Sequence, residues 1–386
     1  MGYSITDSCA ENSCTSLRAF FAQEPRVVLF GAGKNGEFLS HYLRYAGLDA
    51  ECFIDNAPQR AGMVINGLRV ESPATLKDQS VVITSELHAD AILAQLLGMG
   101  MTREHVYVVR LNELQKLFDT DPDWPAYIIT HHFSPMYRDY FVAHGIDCSG
   151  DLLEHGGYRF PNPYRQTAEY QIAFFSEIVD YILPAMFDDY SMLVEGPGEL
   201  GEVRIAPGDV VFDCGANIGL FSMVAAAKGG NVFAFEPVPA VAQHIRQAQR
   251  IYPSIQVIEQ ATSDNCGTAR ITLSSGANTG NSLVLPVAGK SISIATTTLD
   301  DFVARHDLPR VDFIKADIEG AERLMLQGAQ QTLRRFAPKL SICTYHLPDD
   351  KEVLEALIRQ ANPDYVIEHR WQKLYAHVPA RRGEGA

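Results

Sequence analysis

Three acidic residues and one histidine are the side chains of this chain best suited to chemistry. Asp317, Glu319 and Glu322 follow the predicted strand 311–316, and His346 follows the next predicted strand. Because the carboxyl ends of parallel strands meet at one edge of a sheet, we expect these side chains to converge. Asp317 or His346 could take a proton from a hydroxyl, and the carboxylates could bind a divalent metal.

A glycine-rich turn precedes this group along the chain. The predicted strand 209–212 runs into Asp213 and then into Gly215, Asn217 and Gly219, where a helix begins. Glycines let a turn approach a ligand without a Cβ clash, and a helix start offers free N–H groups to a carboxylate. Asp213 could accept an ammonium group directly or through water. The pattern therefore favours a ligand of the methionine type.

The next two predicted strands add residues suited to a nucleoside. Glu236 ends the strand 231–235, where an acid accepts hydrogen bonds from ribose hydroxyls. No further glycine-rich pyrophosphate turn accompanies it, which favours S-adenosylmethionine over NAD. Gln260 and Asp264 follow the third strand, and both are candidates for the adenine amino group.

These segments resemble the FkbM family of S-adenosylmethionine-dependent methyltransferases, over roughly residues 200–378. The resemblance is carried by GDVVFDCGANIG (208–219), AFEPVP (234–239), QATSDNCG (260–267), TTTLDDF (296–302) and VDFIKADIEGAE (311–322). It implies a class I methyltransferase fold and, usually, O-methylation of sugars or small metabolites. It implies cofactor contacts at Asp213, Gly215, Asn217, Gly219 and Glu236. It also implies that Asp317 lies near the reacting centre, while Lys315 departs from the aliphatic residue more common in the family.

A second glycine turn lies in the N-terminal half. The predicted strand 26–30 leads into Gly31, Gly33 and Gly36, and after a helix the strand 50–54 ends at Asp55. This order nearly fits the dinucleotide fingerprint, so these four residues are candidate nucleotide contacts. The stretch from FIDN to SPATL resembles nucleotide-sugar-binding N-domains attached to sugar-modifying enzymes. A nucleotide or nucleotide-sugar, NAD, and an empty structural module stay open as alternatives.

The pattern as a whole predicts an α/β protein with two Rossmann-like doubly wound domains, since 386 residues exceed one typical domain. We expect a flexible lead-in over 1–24, a small Rossmann-like domain over 25–112, a helical linker or cap over 113–200 and the methyltransferase domain over 201–380. Within the linker, 167–185 is predicted to be helical, and its aromatic stripe at Tyr170 and Phe174 indicates packing. A continuous helix is predicted over 320–335.

The composition of the chain disfavours several classes of binding partner. With 32 Lys+Arg against 47 Asp+Glu, the net charge of −15 disfavours nucleic acid. Seven scattered cysteines without a CxxC pair indicate reduced thiols and no structural zinc, and no apolar run is long enough for a membrane span. We therefore expect a cytoplasmic protein without membrane partners. The pair His131-His132 is interpreted as loop histidines, because no third ligand is evident.

The leading hypothesis is S-adenosylmethionine-dependent O-methylation of a sugar or small-metabolite hydroxyl. One alternative is an NAD(P)-dependent oxidoreductase or epimerase using the N-domain, although no convincing TyrxxxLys pair is found. Another is a non-catalytic nucleotide-sugar-binding protein. A divalent metal, a nucleotide-sugar at the N-domain and a homodimer are left open.

Overall fold

The computed structural model describes residues 16–85, 88–109, 124–273 and 290–379. The chain forms two compact units, Met1–His132 and Phe133–Ala386. Within the described ranges, none of the helices is long and apolar enough to cross a membrane. The predicted lead-in lies outside the described residues up to residue 15.

The first unit is built on a six-stranded sheet. Its strands are β1 Val27–Phe30, β2 Phe53–Ile54, β3 Val64–Ile65, β4 Leu68–Glu71, β5 Ser80–Ile83 and β6 Val106–Val108. Its α-helices are α1 Leu17–Gln23, α2 Lys34–Tyr45, α3 Ala89–Gly98 and α4 Trp124–Ile128, with 3-10 turns at Pro58–Arg60, Pro73–Thr75 and Arg103–His105. The strand order is β3-β4-β2-β1-β5-β6, and all neighbours except β3 and β4 pair in parallel. The predicted βαβ unit is thus confirmed, while the hairpin β3–β4 was not predicted.

The central strands of this sheet are buried on both faces. Every residue of β1 and β5 is buried, which is typical of a parallel sheet covered by helices on both sides. Residues Val28 and Phe30 pack with Ile92 and Leu93 of α3. The β-branched and aromatic composition of these short runs explains why they form strands here.

The second unit contains the larger sheet. A π-helical turn, Ile129–Phe133, carries the boundary between the units. The first part of the second unit contains α5 Ser134–Ala143, β7 Leu152–His155, β8 Tyr158–Pro161, a 3-10 turn Pro163–Arg165, α6 Ala168–Glu177, a π-helical turn Ile178–Ile182 and α7 Leu183–Phe187. The helix predicted over 167–185 is therefore confirmed, with a π-helical turn inside it. The antiparallel hairpin β7–β8 was not part of the helical linker or cap predicted for this region.

The remaining elements alternate as expected. The strands are β9 Val210–Cys214, β10 Asn231–Phe235, β11 Ile255–Ile258, β12 Ala261–Thr262, β13 Gly267–Thr272, β14 Ser291–Thr297, β15 Phe313–Ala316, β16 Lys339–Cys343, β17 Val366–Arg370 and β18 Lys373–His377. The helices are α8 Leu220–Ala227, α9 Pro239–Ile251, α10 Leu299–Arg305, α11 Glu322–Gln327, α12 Gln330–Phe336 and α13 Asp350–Ala361. The main sheet runs β11-β10-β9-β15-β16-β18-β17, with β18 antiparallel to both neighbours.

One helix prediction in this unit was wrong. The segment 320–335 forms two helices, α11 and α12, instead of one. A Cβ atom at Gly328 would overlap the carbonyl oxygen of Ser263, and Gly328 itself accepts a backbone hydrogen bond from Asp300 at 3.0 Å. The close approach of two backbones at Gly328 therefore ends α11, because the chain must turn there to keep this contact.

Candidate active site

The glycine turn after β9 is held against the end of β15. Gly215 has φ +77°, a conformation that favours glycine, and a Cβ atom there would overlap the carbonyl oxygen of Asp317. Gly219, at φ +87°, precedes the first turn of α8. The sequence therefore brings the turn, the start of α8 and the end of β15 to one edge of the sheet, as predicted.

Asp213 lies beneath this turn. Its side chain is fully buried, and its Oδ1 lies 3.2 Å from Nζ of Lys315 on the neighbouring strand β15. The Ser222 hydroxyl donates to Asp213 Oδ2 at 2.6 Å. Lys315 also donates to the carbonyl oxygen of Gly215 at 2.9 Å. The unusual lysine noted in the sequence thus forms a buried ion pair that fixes the backbone of the turn.

Asn217 connects the turn to two acids. Its backbone N–H donates to Glu236 Oε2 at 3.2 Å, and its side-chain Nδ2 donates to Glu177 Oε1 at 2.6 Å. Its Oδ1 is buried and has no hydrogen-bond partner among the residues that the structure describes. A buried acceptor without a donor is costly. This atom therefore suits a ligand group that donates a hydrogen bond, such as an ammonium or a hydroxyl.

Glu236 is buried at the end of β10, where the ribose acid was predicted. Besides Asn217, the N–H of Val238 donates to it, at 2.9 Å. Burial raises the pKa of Glu236 to about 7, although these two N–H groups favour the charged form and oppose the shift. Each oxygen of the carboxylate still has lone pairs for a further donor.

The two adenine candidates are placed differently. Gln260 is half-buried between β11 and β12. Asp264 is exposed, and its carboxylate accepts from the side chains of Ser263 at 3.2 Å and Asn265 at 2.6 Å. The partial burial of Gln260 makes it the better placed of the two, and both stay predictions.

The predicted catalytic residues converge around one imidazole. His346 Nε2 lies 3.7 Å from Asp317 Oδ1 and 3.4 Å from Glu319 Oε2, while its Nδ1 lies 3.0 Å from Glu322 Oε1. Glu322 is fully buried, and the N–H of Ile318 donates to its Oε1 at 2.8 Å. Three carboxylates thus surround one side chain that is only 2% exposed.

The charges in this cluster shift its pKa values. Burial lowers the pKa of His346, but the hydrogen bond and charge of Glu322 and the charges of Asp317 and Glu319 outweigh it and raise the pKa to about 9. Burial, reinforced by the charge of Asp317, raises the pKa of Glu319 to about 7. At neutral pH His346 is therefore a cation. Of the acids beside it, Glu319 has the most exposed side chain and Asp317 the next most exposed.

The donor set also suits a cation. Asp317, Glu322 and His346 each offer one ligand atom, and these atoms lie within 4.8 Å of one another. Glu322 Oε2 is buried and makes no hydrogen bond within the described parts of the chain. Carboxylate and imidazole ligands in this combination bind divalent metals in many proteins.

Two residues of the site were not predicted. Glu177, at the end of α6, reaches Asn217, and burial raises its pKa to about 8. Glu195 accepts from the Tyr345 hydroxyl at 2.8 Å and lies 3.8 Å from Nζ of the buried Lys373. The signal for Glu177 was an acid that follows the aromatic stripe of a predicted helix. Its reach across to the turn depends on tertiary packing, which a local pattern does not encode.

The N-terminal unit has its own pocket. A pocket of about 620 Å³ is lined by Gly31, Gly33, Gly36 and Asp55, among others. Gly31 has φ +115°, and a Cβ atom on Gly36 would overlap the Gly31 carbonyl, so this turn needs both glycines. The fingerprint residues are thus brought together as predicted.

Asp55 is engaged by the protein itself. The N–H groups of Ala32 and Ala57 donate to its two oxygens, both at 2.8 Å, and Arg60 lies 3.3 Å from Oδ2. In a dinucleotide site this acid would face the ribose hydroxyls. Here it stabilises the glycine turn and positions a guanidinium group at the pocket, which suits an anionic ligand.

The fold and the site together define a class I S-adenosylmethionine-dependent methyltransferase fold in the second unit. Its sheet order, the glycine turn after β9 and the acid after β10 carry this assignment. Residues 213–370 match the family model described as the methyltransferase FkbM domain. The second unit therefore contains an FkbM methyltransferase domain. The match lies outside the first unit, whose interpretation as a nucleotide-sugar-binding domain stays a prediction.

Two relatives of known name align with part of the chain. The 31-O-demethyl-FK506 methyltransferase FkbM of Streptomyces tacrolimicus is 30% identical, over 33% of this chain and 62% of that protein. The hexuronic acid methyltransferase AglP of Haloferax volcanii is 29% identical, over 33% of this chain and 52% of that protein. The chain thus spans less than two thirds of the length of either relative. The crystal structure of methyltransferase FkbM from Methylobacillus flagellatus KT has 19% identity and a TM-score of 0.41, covering 93% of this chain and 92% of that one.

Proposed function

We propose that the chain transfers the methyl group of S-adenosylmethionine to a hydroxyl oxygen of a sugar or small metabolite. The observation that carries this proposal is the convergence of Asn217, Glu236 and the Asp317–His346 pair at one edge of the sheet. The names of the two relatives, which give 31-O-demethyl-FK506 and a hexuronic acid as the compounds methylated, support a hydroxyl-bearing acceptor. The family match disfavours the oxidoreductase alternative.

The cofactor supplies a methyl group that is already activated on a sulfonium, so the protein mainly binds and orients the reactants. Glu236 would accept hydrogen bonds from the ribose hydroxyls. Asn217 Oδ1, which lacks a donor within the described residues, and Glu177 beside it would hold the ammonium group. Gly215 and Gly219 keep the turn open for close approach, and the first N–H groups of α8 would hold the carboxylate. Gln260 or Asp264 would contact the adenine.

The proton of the acceptor hydroxyl is assigned to Asp317. Asp317 is more exposed than His346, and it ends a strand at the ligand edge of the sheet. His346, as a cation at neutral pH, would orient the Asp317 carboxylate and offset the charge of Glu322. Glu319 lies on the open side of the cluster and would contact the acceptor.

A divalent cation bound by Asp317, Glu322 and His346 is a second way to lower the pKa of the hydroxyl. The two alternatives differ in their response to chelation. Activity that survives exhaustive treatment with EDTA supports the metal-free assignment. Activity that is lost and then restored by Mg²⁺ or Mn²⁺ supports the cation.

The test of the main proposal is the variant Asp317→Asn in the full chain. We expect binding of S-adenosylhomocysteine, measured by calorimetry, to stay within about threefold of the wild type, while transfer of labelled methyl from S-adenosylmethionine to acceptors in a cell extract is lost. Asp307→Asn makes the same chemical change at an exposed loop position and serves as the control. Full transfer activity in Asp317→Asn would contradict the assignment.

For the first unit we propose a nucleotide or nucleotide-sugar as ligand. The pocket of about 620 Å³ and the Arg60 guanidinium beside the glycine turn support an anionic ligand, while the engagement of Asp55 disfavours NAD. Calorimetry with a UDP-sugar and with NAD distinguishes a nucleotide-sugar ligand from NAD. We expect binding of the UDP-sugar alone and its loss in Arg60→Gln. Binding of NAD alone would overturn the proposal, and binding of neither would make the unit a structural module.

We also propose a cytoplasmic location. The five cysteines within the described residues are free thiols, four of them buried. Free thiols persist in a reducing compartment. Fractionation of the host cell, with an antibody to the full chain, tests this directly.

A further inference from the structure

Three ligand-type side chains meet in the first unit, away from the methyltransferase cluster. Glu37 and His41 are four residues apart on α2, so they lie on the same face one turn apart. His132, in the π-helical turn that follows α4, lies beside them. Each of the three offers one ligand atom, and these atoms lie within 4.8 Å of one another. The ligands that the sequence did not reveal for His132 are thus supplied by α2, as one further imidazole and one carboxylate.

The buried side chain of His41 is independent evidence for a ligand at this place. It is only 4% exposed, and neither of its ring nitrogens makes a hydrogen bond to any residue that the structure describes. A buried imidazole without partners is costly, because a neutral ring carries one N–H donor and one acceptor. The His132 ring lies next to it, with ring centroids 4.6 Å apart, and Glu37 Oε1 lies 3.7 Å from His132 Nδ1. A metal ion bound here would give the His41 ring a partner and lie within reach of Glu37 and His132.

The protonation states agree with this geometry. Burial, helped by the nearby His132 and Arg44, lowers the pKa of His41 to about 4. Burial also lowers the pKa of His132, although the charge of Glu37 opposes the shift. Both rings are therefore neutral at pH 7, which is the form that binds a metal.

We propose that Glu37, His41 and His132 form a binding site for a divalent transition metal, with Zn²⁺ the probe of choice. Two imidazoles and one carboxylate are ligands of Zn²⁺ and of its first-row neighbours, and they leave a coordination position open. Ligand atoms at about 2.1 Å from a tetrahedral metal lie about 3.4 Å apart. Glu37 is 40% exposed, so its side chain is free to rotate and bring its carboxylate to the shorter distance that a bound metal requires. This site is independent of the proposed methyl transfer.

Metal binding here would join α2 to the helical segment that begins at Trp124. Aromatic rings also pack between these two segments. The ring centroid of Trp124 lies 5.5 Å from that of Phe38, and 5.3 Å from those of Tyr42 and Tyr45. A metal that binds only the folded unit stabilises it by mass action. The site would therefore tune the stability of the first unit to metal supply.

The neighbouring histidine provides a matched control. His131 is exposed, its ring stacks on Tyr127 at 4.0 Å between centroids, and its Nδ1 lies 2.9 Å from the Tyr127 carbonyl oxygen. It is therefore engaged away from the three ligands. His131→Gln and His132→Gln make the same change at adjacent positions, but only His132→Gln is expected to weaken metal binding.

The experiment titrates full-length, chelator-stripped protein with Zn²⁺ by calorimetry and with Co²⁺ by visible absorption. We expect Glu37→Gln and His132→Gln each to lose one bound equivalent, or to weaken it by at least about tenfold, whereas His131→Gln keeps it. Any metal held by the methyltransferase cluster contributes equally to all four proteins and cancels. Equal stoichiometry and affinity in all four, or no binding by the wild type, overturns the site.

A second measurement does not depend on stoichiometry. The chain has two tryptophans, Trp124 in the first unit and Trp371 in the second. In a Trp371→Phe background, Trp124 fluorescence reports unfolding of the first unit alone. Zn²⁺ is expected to raise that unfolding midpoint, and the gain should vanish in His132→Gln. An unchanged midpoint in the parent protein contradicts the proposal.

Discussion

The cluster around His346 makes the stability of the second unit depend on pH in a predictable direction. The pKa of His346 is about 9 in the folded protein, against an ordinary value of 6.5. Because a raised pKa means that folding favours the protonated form, this contribution is fully present below pH 6.5. It is lost as the pH rises through about 9. Replacement by Gln removes the titrating group and keeps a side chain of similar size.

The magnitude follows from the two pKa values. A shift of one pKa unit corresponds to about 1.4 kcal/mol, so the linkage relation gives a contribution of about 2.5 kcal/mol at pH 7 and nearly none at pH 9.5. His346 is 2% exposed, so solvent screening reduces this figure little. Between pH 7 and pH 9.5 we therefore expect the free energy of unfolding of the wild type to fall by on the order of 2 kcal/mol more than that of His346→Gln.

The assay is urea unfolding at pH 7 and pH 9.5, read by Trp371 in a Trp124→Phe background so that only the second unit is observed. A second variant, Glu322→Gln, removes the residue that raises the pKa of His346 most. In this variant the loss of stability should therefore occur at lower pH. Equal losses in wild type and His346→Gln would refute the reasoning, because other titrating groups would then account for the whole pH dependence.

Three further substitutions test the parts of the two sites. Gly215→Ala should cost on the order of 3 kcal/mol or more of stability and abolish cofactor binding, because its Cβ meets the Asp317 carbonyl at a positive φ; thermal unfolding and calorimetry check both effects. Lys315→Met should cost about 3–5 kcal/mol by leaving Asp213 buried without a cation, and the double variant with Asp213→Asn should recover most of it. Asp55→Asn should weaken the first unit by about 1–2 kcal/mol, with no change in the transition reported by Trp371.

Much of the fold could be predicted because the strands of both sheets are short, apolar and separated by turn signals. The strand β10 has the predicted bounds, since burial on both faces leaves a nearly continuous apolar run. The hairpin β7–β8 was missed because its strands alternate weakly. The local signal that could have found it was the pair Gly156-Gly157 between them, since both residues adopt positive φ.

The site could be predicted where a residue ends a strand, and not where it arrives from a distant helix. Glu236, Asp317 and His346 follow the carboxyl ends of the parallel strands β10, β15 and β16, so topology alone places them at one edge of the sheet. Glu177 contacts the same turn through a helix that was expected only to cap the domain. Likewise, His132 lacked a visible third ligand because Glu37 lies 95 positions earlier in the sequence.

The buried charges around the turn bear on how the cofactor is held. The sequence suggested that Asp213 takes the ammonium group, yet its oxygens already face Ser222 and Lys315 inside the protein. An acid so placed would act through Lys315, which holds the Gly215 carbonyl. The ammonium then needs another acceptor, and Glu177 with Asn217 offers one. Since burial raises the pKa of Glu177 to about 8, an arriving cation would restore its charged form, which couples cofactor binding to proton release at neutral pH. Calorimetry of S-adenosylhomocysteine binding in buffers of different ionisation enthalpy should detect that proton, and Glu177→Gln should abolish it.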